Sequence, residues 1–432
     1  MTETTSPAGA QAPTLSENYR AREQRLVDAA ALHRPDRVPV APLVHYYAGK
    51  CHGVSNAALH YDLALRNRVF RDTTVEHDWD AAAPVGAIPE GRPLELLCTA
   101  QYRWPGGDLG EGQPFQFVEG EYMLQDEYDE LLADPAGFTV RKLWPRVAPC
   151  LAPLGVFASQ PLPPMLYSAD ARGLGGFLGS ALSLPGATEM LENLLAFAKH
   201  AAIGDASMRR FFTEMAELGY PMLFGATALT AFDCVSDFLR GLRGTMLDMY
   251  QVPGKLLAAL ELFTPWTIAE TVKLARLIGN PRVFIALHRG SGSFMSNEQF
   301  ARFYWPSLEA LLLGLIDAGL TPLPFFEGDY TPRLPFLATL PPGKIIGHFD
   351  RVERKKAAEA IGDVMCFWGN VPSSLLVAGH VDDVRRDAWQ LVDLFAANGG
   401  LILDGSVGVP DEARPENVRV LTEVALSHAA AV

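Results

Sequence analysis

The 432-residue sequence lacks the features that mark secreted, membrane-spanning and disulfide-rich proteins. It has only five cysteines and no Cys-x-x-Cys pair, which favours free thiols in a reducing compartment over a disulfide scaffold. Its first residues carry neither a basic cluster nor an apolar stretch, unlike a secretory signal. The longest uncharged stretch, residues 147–169, contains five prolines, which argues against a membrane helix. Together these absences predict a cytoplasmic protein.

Positive charge is also scarce. The chain has 36 lysines and arginines against 50 aspartates and glutamates, a formal charge of −14. Because nucleic-acid binding requires a basic face, this balance disfavours DNA or RNA as the main partner. The hydrophobic fraction of 49% and the charged fraction of 20% are typical of a globular protein and exclude a wholly disordered chain. We therefore expect a small-molecule enzyme or binding protein with a large core.

Short apolar runs alternate along the chain with longer helical patterns. There are eight such runs, at residues 37–44, 78–84, 221–225, 282–287, 321–326, 344–347, 364–368 and 400–403. Continuous apolar runs between helices indicate parallel strands that are buried on both faces. Eight strand–helix units predict a single distorted (β/α)₈ barrel. A doubly wound parallel sheet is the alternative that the periodicity alone leaves open.

The domain organisation follows from composition. Residues 1–17 are rich in Ser, Thr, Pro and Ala and are predicted to be a disordered tail. Residues 18–432 are predicted to form one barrel. Within it, residues 88–175 are predicted to be a loop-rich insertion that caps the second strand.

Side chains that bind metals or transfer protons follow several of the predicted strands. His288 follows the fourth run, Glu327 the fifth, and His348 and Asp350 the sixth, while Cys366 lies inside the seventh. In a (β/α)₈ barrel the active site lies at the carboxyl ends of the strands. The sequence therefore predicts that these five side chains meet at one rim.

Glu327, His348 and Cys366 are of the types that zinc accepts, and a catalytic zinc keeps a fourth position open. We predict that these three form a metal site, and that His288 or Asp350 protonates a leaving group. The alternative is structural, since a single strand-end carboxylate or imidazole is often a hydrogen-bond partner and a buried cysteine a small core residue.

Aromatic side chains occur near the same predicted rim. Tyr46, Phe326 and Trp368 are predicted to line an apolar substrate pocket.

Several motifs resemble those of the uroporphyrinogen decarboxylase superfamily. They are residues 34–39, 237–241, 246–253, 295–304, 369–372 and 415–418. The resemblance extends over about residues 20–430 and implies a distorted (β/α)₈ barrel, in agreement with the strand count.

The resemblance points to the corrinoid-linked methyltransferase branch rather than to the haem-pathway decarboxylase. The decarboxylase carries an arginine motif after its first strand that holds substrate carboxylates, whereas residues 42–50 here read Pro-Leu-Val-His-Tyr-Tyr-Ala-Gly-Lys. Without those guanidinium groups, a polycarboxylate substrate loses its main anchors. The thiol-directed methyltransferases carry a His-x-Cys zinc motif after the fifth strand, where this chain has Phe325 and Glu327.

The resemblance thus implies a methyltransferase that moves a methyl group between a small O-, S- or N-methyl compound and cobalamin, assisted by zinc. The chain has no Asp-x-His-x-x-Gly segment for binding a corrinoid, so a separate corrinoid protein is expected as partner. The alternatives are a metal-independent tetrapyrrole decarboxylase, a thiol methylase that uses methylcobalamin, and a non-catalytic corrinoid- or tetrapyrrole-binding protein. The sequence leaves the oligomeric state open, with a homodimer as one option.

Overall fold

A parallel sheet forms the centre of the computed structural model, which describes residues 15–159 and 171–431. Its six strands pair in sequence order, each parallel to the next. They are β3 (Ala226–Leu229), β4 (Arg282–Leu287), β5 (Thr321–Asp329), β6 (Ile346–Arg351), β7 (Cys366–Trp368) and β8 (Leu401–Ile402). The chain is therefore of the α/β class, as predicted.

The first two predicted strands form isolated bridges instead of ladders, among them a bridge from Val44 to Val409. Val40 bridges to Leu403, next to β8, and Ala82 bridges to Met222, which precedes β3. Between these two runs, the amide of Asp80 donates to the carbonyl of Val40 at 2.7 Å. Prolines at positions 39, 42 and 84 explain the short pairing, because proline has no N–H to donate to a ladder.

The third predicted strand was placed a few residues too early. The run 221–225 makes the bridge at Met222, whereas the ladder to β4 begins at Ala226. The amide of Gly225 already donates to the carbonyl of Arg282 at 3.1 Å.

Helices fill most of the chain between the strands. Those of eight or more residues are Glu17–Ala30, Leu63–Glu76, Ala152–Ser159, Ala171–Leu182, Ala187–Glu217, Gly241–Gln251, Pro253–Ile278, Trp305–Asp317, Arg354–Ile361, Val381–Phe395 and Pro415–Ala431. The shorter α-helices are Tyr47–Cys51, Asn56–Tyr61, Gly91–Leu96, Tyr128–Ala133, Pro135–Phe138, Trp144–Val147, Ala231–Val235, Asn297–Gln299, Leu334–Leu337 and Ser373–Ala378. None in the described ranges is long and apolar enough to cross a membrane.

The helix Val381–Phe395 shows how a sequence pattern fixes packing. Its buried residues, including Val384, Ala388 and Leu391, recur every three or four positions and form one apolar face. At its end, the ring of Phe395 stacks on Phe367 of β7 with centroids 4.1 Å apart. Burial of the apolar face thus holds the helix against the sheet.

The predicted insertion, residues 88–175, contains a small antiparallel hairpin in addition to helices. It consists of β1 (Tyr102–Arg103) and β2 (Gln116–Phe117), with Tyr102 directly opposite Phe117. Residues 160–170 of this segment lie outside the described residues. So does most of the predicted tail, and Ser16 caps the helix that begins at Glu17.

Candidate active site

A cavity of about 620 Å³ lies at the carboxyl ends of β4, β5 and β6. Its ionisable lining residues are Asp237, His288, Arg289, Glu327, Asp350 and Arg351. Its aromatic lining residues are Tyr102, Phe115, Phe117, Phe238 and Phe294. The structure thus brings His288, Glu327 and Asp350 to one cavity, because parallel strands end at the same edge of the sheet.

His288 is held by a buried carboxylate. Its Nδ1 lies 2.5 Å from Oδ2 of Asp237, whose side chain is only 5% exposed. Burial alone would lower the pKa of His288, but the hydrogen bond and the charge of Asp237 outweigh it and raise that pKa above its usual value. With Nδ1 engaged, Nε2 is the ring nitrogen left for a substrate, so His288 can donate a proton at a fixed position.

Arg289 and Asp233 fix the loop that carries His288. The guanidinium of Arg289 lies 3.1 Å from Oδ1 of Asp237, and its Nε donates to the hydroxyl of Ser236 at 3.0 Å. The backbone amide of Arg289 donates to the buried carboxylate of Asp233 at 3.1 Å. Asp233 also accepts from the hydroxyl of Tyr304 at 2.6 Å. Burial, with a smaller effect of Asp237, raises the pKa of Asp233 to about 6.

Glu327 faces His288 across the cavity. Its carboxylate has no hydrogen-bond partner among the described residues and is exposed to the cavity. Burial by the surrounding protein raises its pKa, Asp350 adds to this rise, and the charge of His288 opposes it. Asp350 is fixed by the amide of Gly328, which donates to its Oδ2 at 3.0 Å. Glu327 therefore holds a proton more readily than a glutamate with the usual pKa.

The hairpin supplies much of the aromatic wall. The rings of Tyr102 and Phe117 meet edge to face with centroids 5.5 Å apart, and Phe117 contacts Phe238 at 5.8 Å. Phe115, on the same side of the hairpin, lies 6.2 Å from Tyr102. These rings give the cavity an apolar side opposite its ionisable groups, an arrangement common in small-molecule sites.

The three predicted metal ligands do not meet. The strand register pairs Cys366 with Ile346 and His348 with Phe325, which places Cys366 two residues below the level of His348. Glu327 lies above that level, at a register shift between Phe326 and Asp329 of β5. Three to four residue levels thus separate Glu327 from Cys366, and since a strand rises about 3.3 Å per residue this is roughly 10–13 Å along the strands, too far to share one ion.

Two of the predicted ligands, Cys366 and His348, are also buried in the protein core. Cys366 is fully buried in an apolar cluster with Leu323 and Ile402, and burial raises its thiol pKa well above the usual value. His348 is fully buried too, and its Nε2 lies 3.2 Å from both Oδ2 of Asp404 and the carbonyl of Gly405.

The donor set therefore does not fit the predicted zinc ion. Across residues 15–159 and 171–431, no group of three or more His, Cys, Asp or Glu side chains is placed to hold a metal.

The aromatic residues predicted to bind substrate lie in the core instead. Phe326 and Trp368 are fully buried, and Tyr46 is 1% exposed. Trp368 donates its indole N–H to the carbonyl of Ala41 at 3.1 Å. None of the three lines the cavity. Tyr46 supports the aromatic wall only indirectly, because its hydroxyl accepts from the amide of the wall residue Phe115 at 3.0 Å.

Asp237 and the aromatic residues of the hairpin were not predicted as site residues. Asp237 begins one of the family-like motifs, residues 237–241, so a signal was present, but it does not follow a strand run. The wall residues come from a segment far from the strand ends in sequence, and no local pattern marked them.

Comparison with known proteins agrees with this architecture. Residues 223–428 match the family model for uroporphyrinogen decarboxylase (URO-D). No curated protein sequence matches the chain.

A methyltransferase from Methanosarcina mazei has a similar structure, with a TM-score of 0.59 over 94% of this chain and 98% of that one. At 16% identity this likeness shows a shared fold. The motifs predict a resemblance of the chain to the uroporphyrinogen decarboxylase superfamily. The family match over residues 223–428 and the shared fold confirm that resemblance.

Proposed function

We propose that the protein is a methyltransferase that moves a methyl group between a small O-, S- or N-methyl compound and cobalamin carried by a separate corrinoid protein. The observation behind this proposal is the cavity that joins an aromatic wall to two ionisable groups, His288 and Glu327. The fold shared with a methyltransferase supports it.

The proposed architecture is a closed, distorted (β/α)₈ barrel. The runs 37–44 and 78–84 would be its first and second strands, and residues 221–229 its third. Support comes from the bridges Val40–Leu403 and Ala82–Met222, which link the runs to the two edges of the six-stranded sheet. Proline-interrupted strands account for the weak pairing there.

The aromatic wall would hold the methylated compound with its heteroatom toward the acidic side of the cavity. When the methyl group leaves, the bond between its carbon and the heteroatom breaks and the electron pair stays on the heteroatom. As that bond breaks, His288, fixed through Nδ1 by Asp237, or the carboxyl of Glu327 would donate a proton to the heteroatom. The partner's corrinoid supplies the atom that accepts the methyl group.

Proton donation matters because an alkoxide or amide anion is a poor leaving group. General acids of this kind typically contribute about 100- to 10,000-fold to a rate. Groups with shifted pKa values often lie where a protein transfers protons, and both His288 and Glu327 have a raised pKa.

The charge of the cavity argues against the decarboxylase alternative. Asp237, Glu327 and Asp350 line it against two guanidinium groups, and Arg289 is already engaged by Asp237. His288 is paired with the same carboxylate, so a porphyrinogen with many carboxylates would find few unpaired cations there.

The test measures methyl transfer to free reduced cobalamin by visible absorbance. The methyl donors tried are a methoxyphenol, methanol, dimethyl sulfide and trimethylamine. We expect one donor class to react and His288→Asn to lose most of the rate while Glu359→Gln, an exposed glutamate on the helix Arg354–Ile361, keeps it. Glu359 lies outside the cavity lining.

Three results would contradict the proposal. Release of CO₂ from a tetrapyrrole would identify a decarboxylase, and methylation of added thiols from methylcobalamin alone would identify a thiol methylase. Binding of cobalamin without turnover of any donor would identify a binding protein.

A further inference from the structure

Two of the five cysteines lie side by side next to the hairpin. Cys98 is exposed and Cys150 is half-buried. The thiol of Cys150 donates to the carbonyl of Leu97, the residue before Cys98, at 3.1 Å. The sulfur of Cys150 therefore lies beside the peptide bond that leads into Cys98. Burial, with a smaller effect of the neighbouring Cys98, raises the pKa of the Cys150 thiol to about 11.

The backbone holds this pair together. The amide of Ala100 donates to the carbonyl of Val147 at 2.8 Å, so the segments that carry the two cysteines are joined beside the thiols. At Cys98 the chain turns with φ of +49°, a left-handed conformation that residues other than glycine seldom adopt. Such outliers persist where the surrounding structure enforces them, and they cluster at functional positions.

The two thiols differ in a way that suits a stepwise reaction. Cys98 is accessible to solvent, whereas Cys150 packs in a small apolar cluster with Leu97, Leu154 and Leu194. An accessible thiol next to a shielded one is the arrangement of an attacking and a resolving cysteine.

We propose that Cys98 and Cys150 are a reversible modification site that forms a disulfide when it meets a low-molecular-weight disulfide such as oxidised glutathione. The Cys98 thiolate attacks one sulfur of the small disulfide, forms a mixed disulfide and releases one thiol. The Cys150 thiolate then attacks the Cys98 sulfur and releases the second thiol. Two protein thiols lose two protons and two electrons, and the small disulfide gains them.

The other three cysteines offer no such pairing, since they lie on separate elements. Cys51 ends the helix Tyr47–Cys51, Cys234 lies in the helix Ala231–Val235, and Cys366 is fully buried in β7. Oxidation at one specific pair is therefore expected.

The disulfide would close a loop, residues 98–150, that contains the whole β1–β2 hairpin. That hairpin carries Tyr102, Phe115 and Phe117 of the aromatic wall. A cross-link at the base of this loop reduces the motion available to it. Oxidation is thus expected to hold the wall of the cavity in place, whatever reaction the cavity catalyses.

The test uses the full-length protein treated with oxidised glutathione and digested without reduction. We expect a cross-linked peptide pair joining Cys98 and Cys150, about 2 Da lighter than the two reduced peptides, which dithiothreitol reverses. Cys51→Ser should still form it, because Cys51 is a half-buried thiol outside the pair. Cys150→Ser should stop at a mixed disulfide on Cys98.

Hydrogen exchange measures the second part of the inference. Oxidised wild-type protein should exchange the amides of residues 101–118 several-fold more slowly than reduced protein, and Cys150→Ser should show no such difference. A mixed disulfide that persists in the wild type, or cross-links among other cysteines, would overturn the modification site. A cross-link that leaves exchange in the hairpin unchanged would overturn its effect on the wall.

Discussion

His288 and Glu327 show how the surroundings of a side chain set its protonation. Both face one cavity, yet their pKa values rise for different reasons: Asp237 stabilises the charged imidazole, whereas burial destabilises the charged carboxylate. Each shift favours the protonated form of its group beyond what the usual pKa would give. That property is what a leaving heteroatom requires from the protein.

Replacing Glu327 by glutamine tests the carboxyl as proton donor. Glutamine keeps the shape and removes the acid, so the rate of methyl transfer should fall by about 100-fold or more if Glu327 is the main donor. Circular dichroism and thermal unfolding should be nearly unchanged, because no described side chain hydrogen-bonds to Glu327. Full turnover in this variant would assign the proton to His288 alone.

Replacing Asp237 by asparagine tests the control of His288. Loss of the carboxylate should lower the pKa of His288, so the alkaline limb of the rate–pH profile should move to lower pH. In the wild type the raised pKa also means that the pair contributes fully to stability below about pH 6.5 and that this contribution is lost as pH rises through the raised pKa.

The measurement is an NMR titration of the His288 ring protons beside the rate profile. Ser236→Ala is the matched control, because Ser236 contacts Arg289 and not His288. An unchanged titration in Asp237→Asn would refute the proposed role of Asp237.

At this scale the sequence predicted some positions and missed others for a clear reason. A strand end identifies which side chains reach a rim, as it did for His288, Glu327 and Asp350. It does not give the height of a residue along its strand, which depends on register with neighbours. Cys366 was placed at the rim for that reason, although it lies two residues below the level of His348.

Among the elements, the segment before the third strand depends on Glu127. Its carboxylate accepts from Arg146 at 2.7 and 2.8 Å and from Lys142 at 3.0 Å, and it also accepts from the amide of Leu124. It therefore ties the start of the helix Tyr128–Ala133 to the helix Trp144–Val147. The pKa of Glu127 is lowered to about 2, chiefly by its hydrogen bonds with Arg146.

Glu127→Gln should lower the free energy of unfolding by about 1–3 kcal/mol, because charged hydrogen bonds are lost at a nearly buried side chain. Because the folded pKa is depressed, the stabilisation by Glu127 is present above about pH 4.5 and is lost as pH falls toward 2.

Urea unfolding at pH 7 and at pH 3 measures both effects. The difference between wild type and variant should shrink at pH 3. Glu130→Gln, a more exposed partner of the same lysine, should cost less than about 1 kcal/mol. Equal losses for the two variants would contradict the role of burial.

Element prediction succeeded where periodicity was strong and failed where proline interrupted it. Six of the eight apolar runs contain or adjoin strands of the parallel sheet, because continuous burial on two faces leaves a clear signal. The hairpin strands are two residues each, too short to show any alternation. Their aromatic side chains could be assigned to the cavity only from the fold.

Over the whole molecule, Asp80 links parts of the chain that are distant in sequence. It is fully buried and accepts from Arg25 at 2.8 Å, from Arg37 at 2.9 Å and from the amide of Val40 at 2.9 Å. The N-terminal helix and the two weakly paired runs are thus held by one carboxylate.

Asp80→Asn should destabilise the protein by about 3–5 kcal/mol, because it leaves the buried guanidinium of Arg37 without its close counter-charge, whereas Arg25 keeps its pair with Asp36. Asp78→Asn, two residues away and half exposed, should cost less than about 1 kcal/mol. Thermal unfolding of both variants makes the comparison, and a mild effect at Asp80 would show that other contacts hold these runs.

The position of the hairpin has a consequence for how this molecule can diversify. Much of the aromatic wall that would select a ligand comes from the hairpin, which lies in a segment outside the parallel sheet. The proposed proton donors, His288 and Glu327, lie at the ends of β4 and β5 of that sheet. Exchange of residues 101–118 for another loop could therefore redirect ligand choice while the acid–base apparatus stays intact, so that recognition and reactivity can evolve as separable modules.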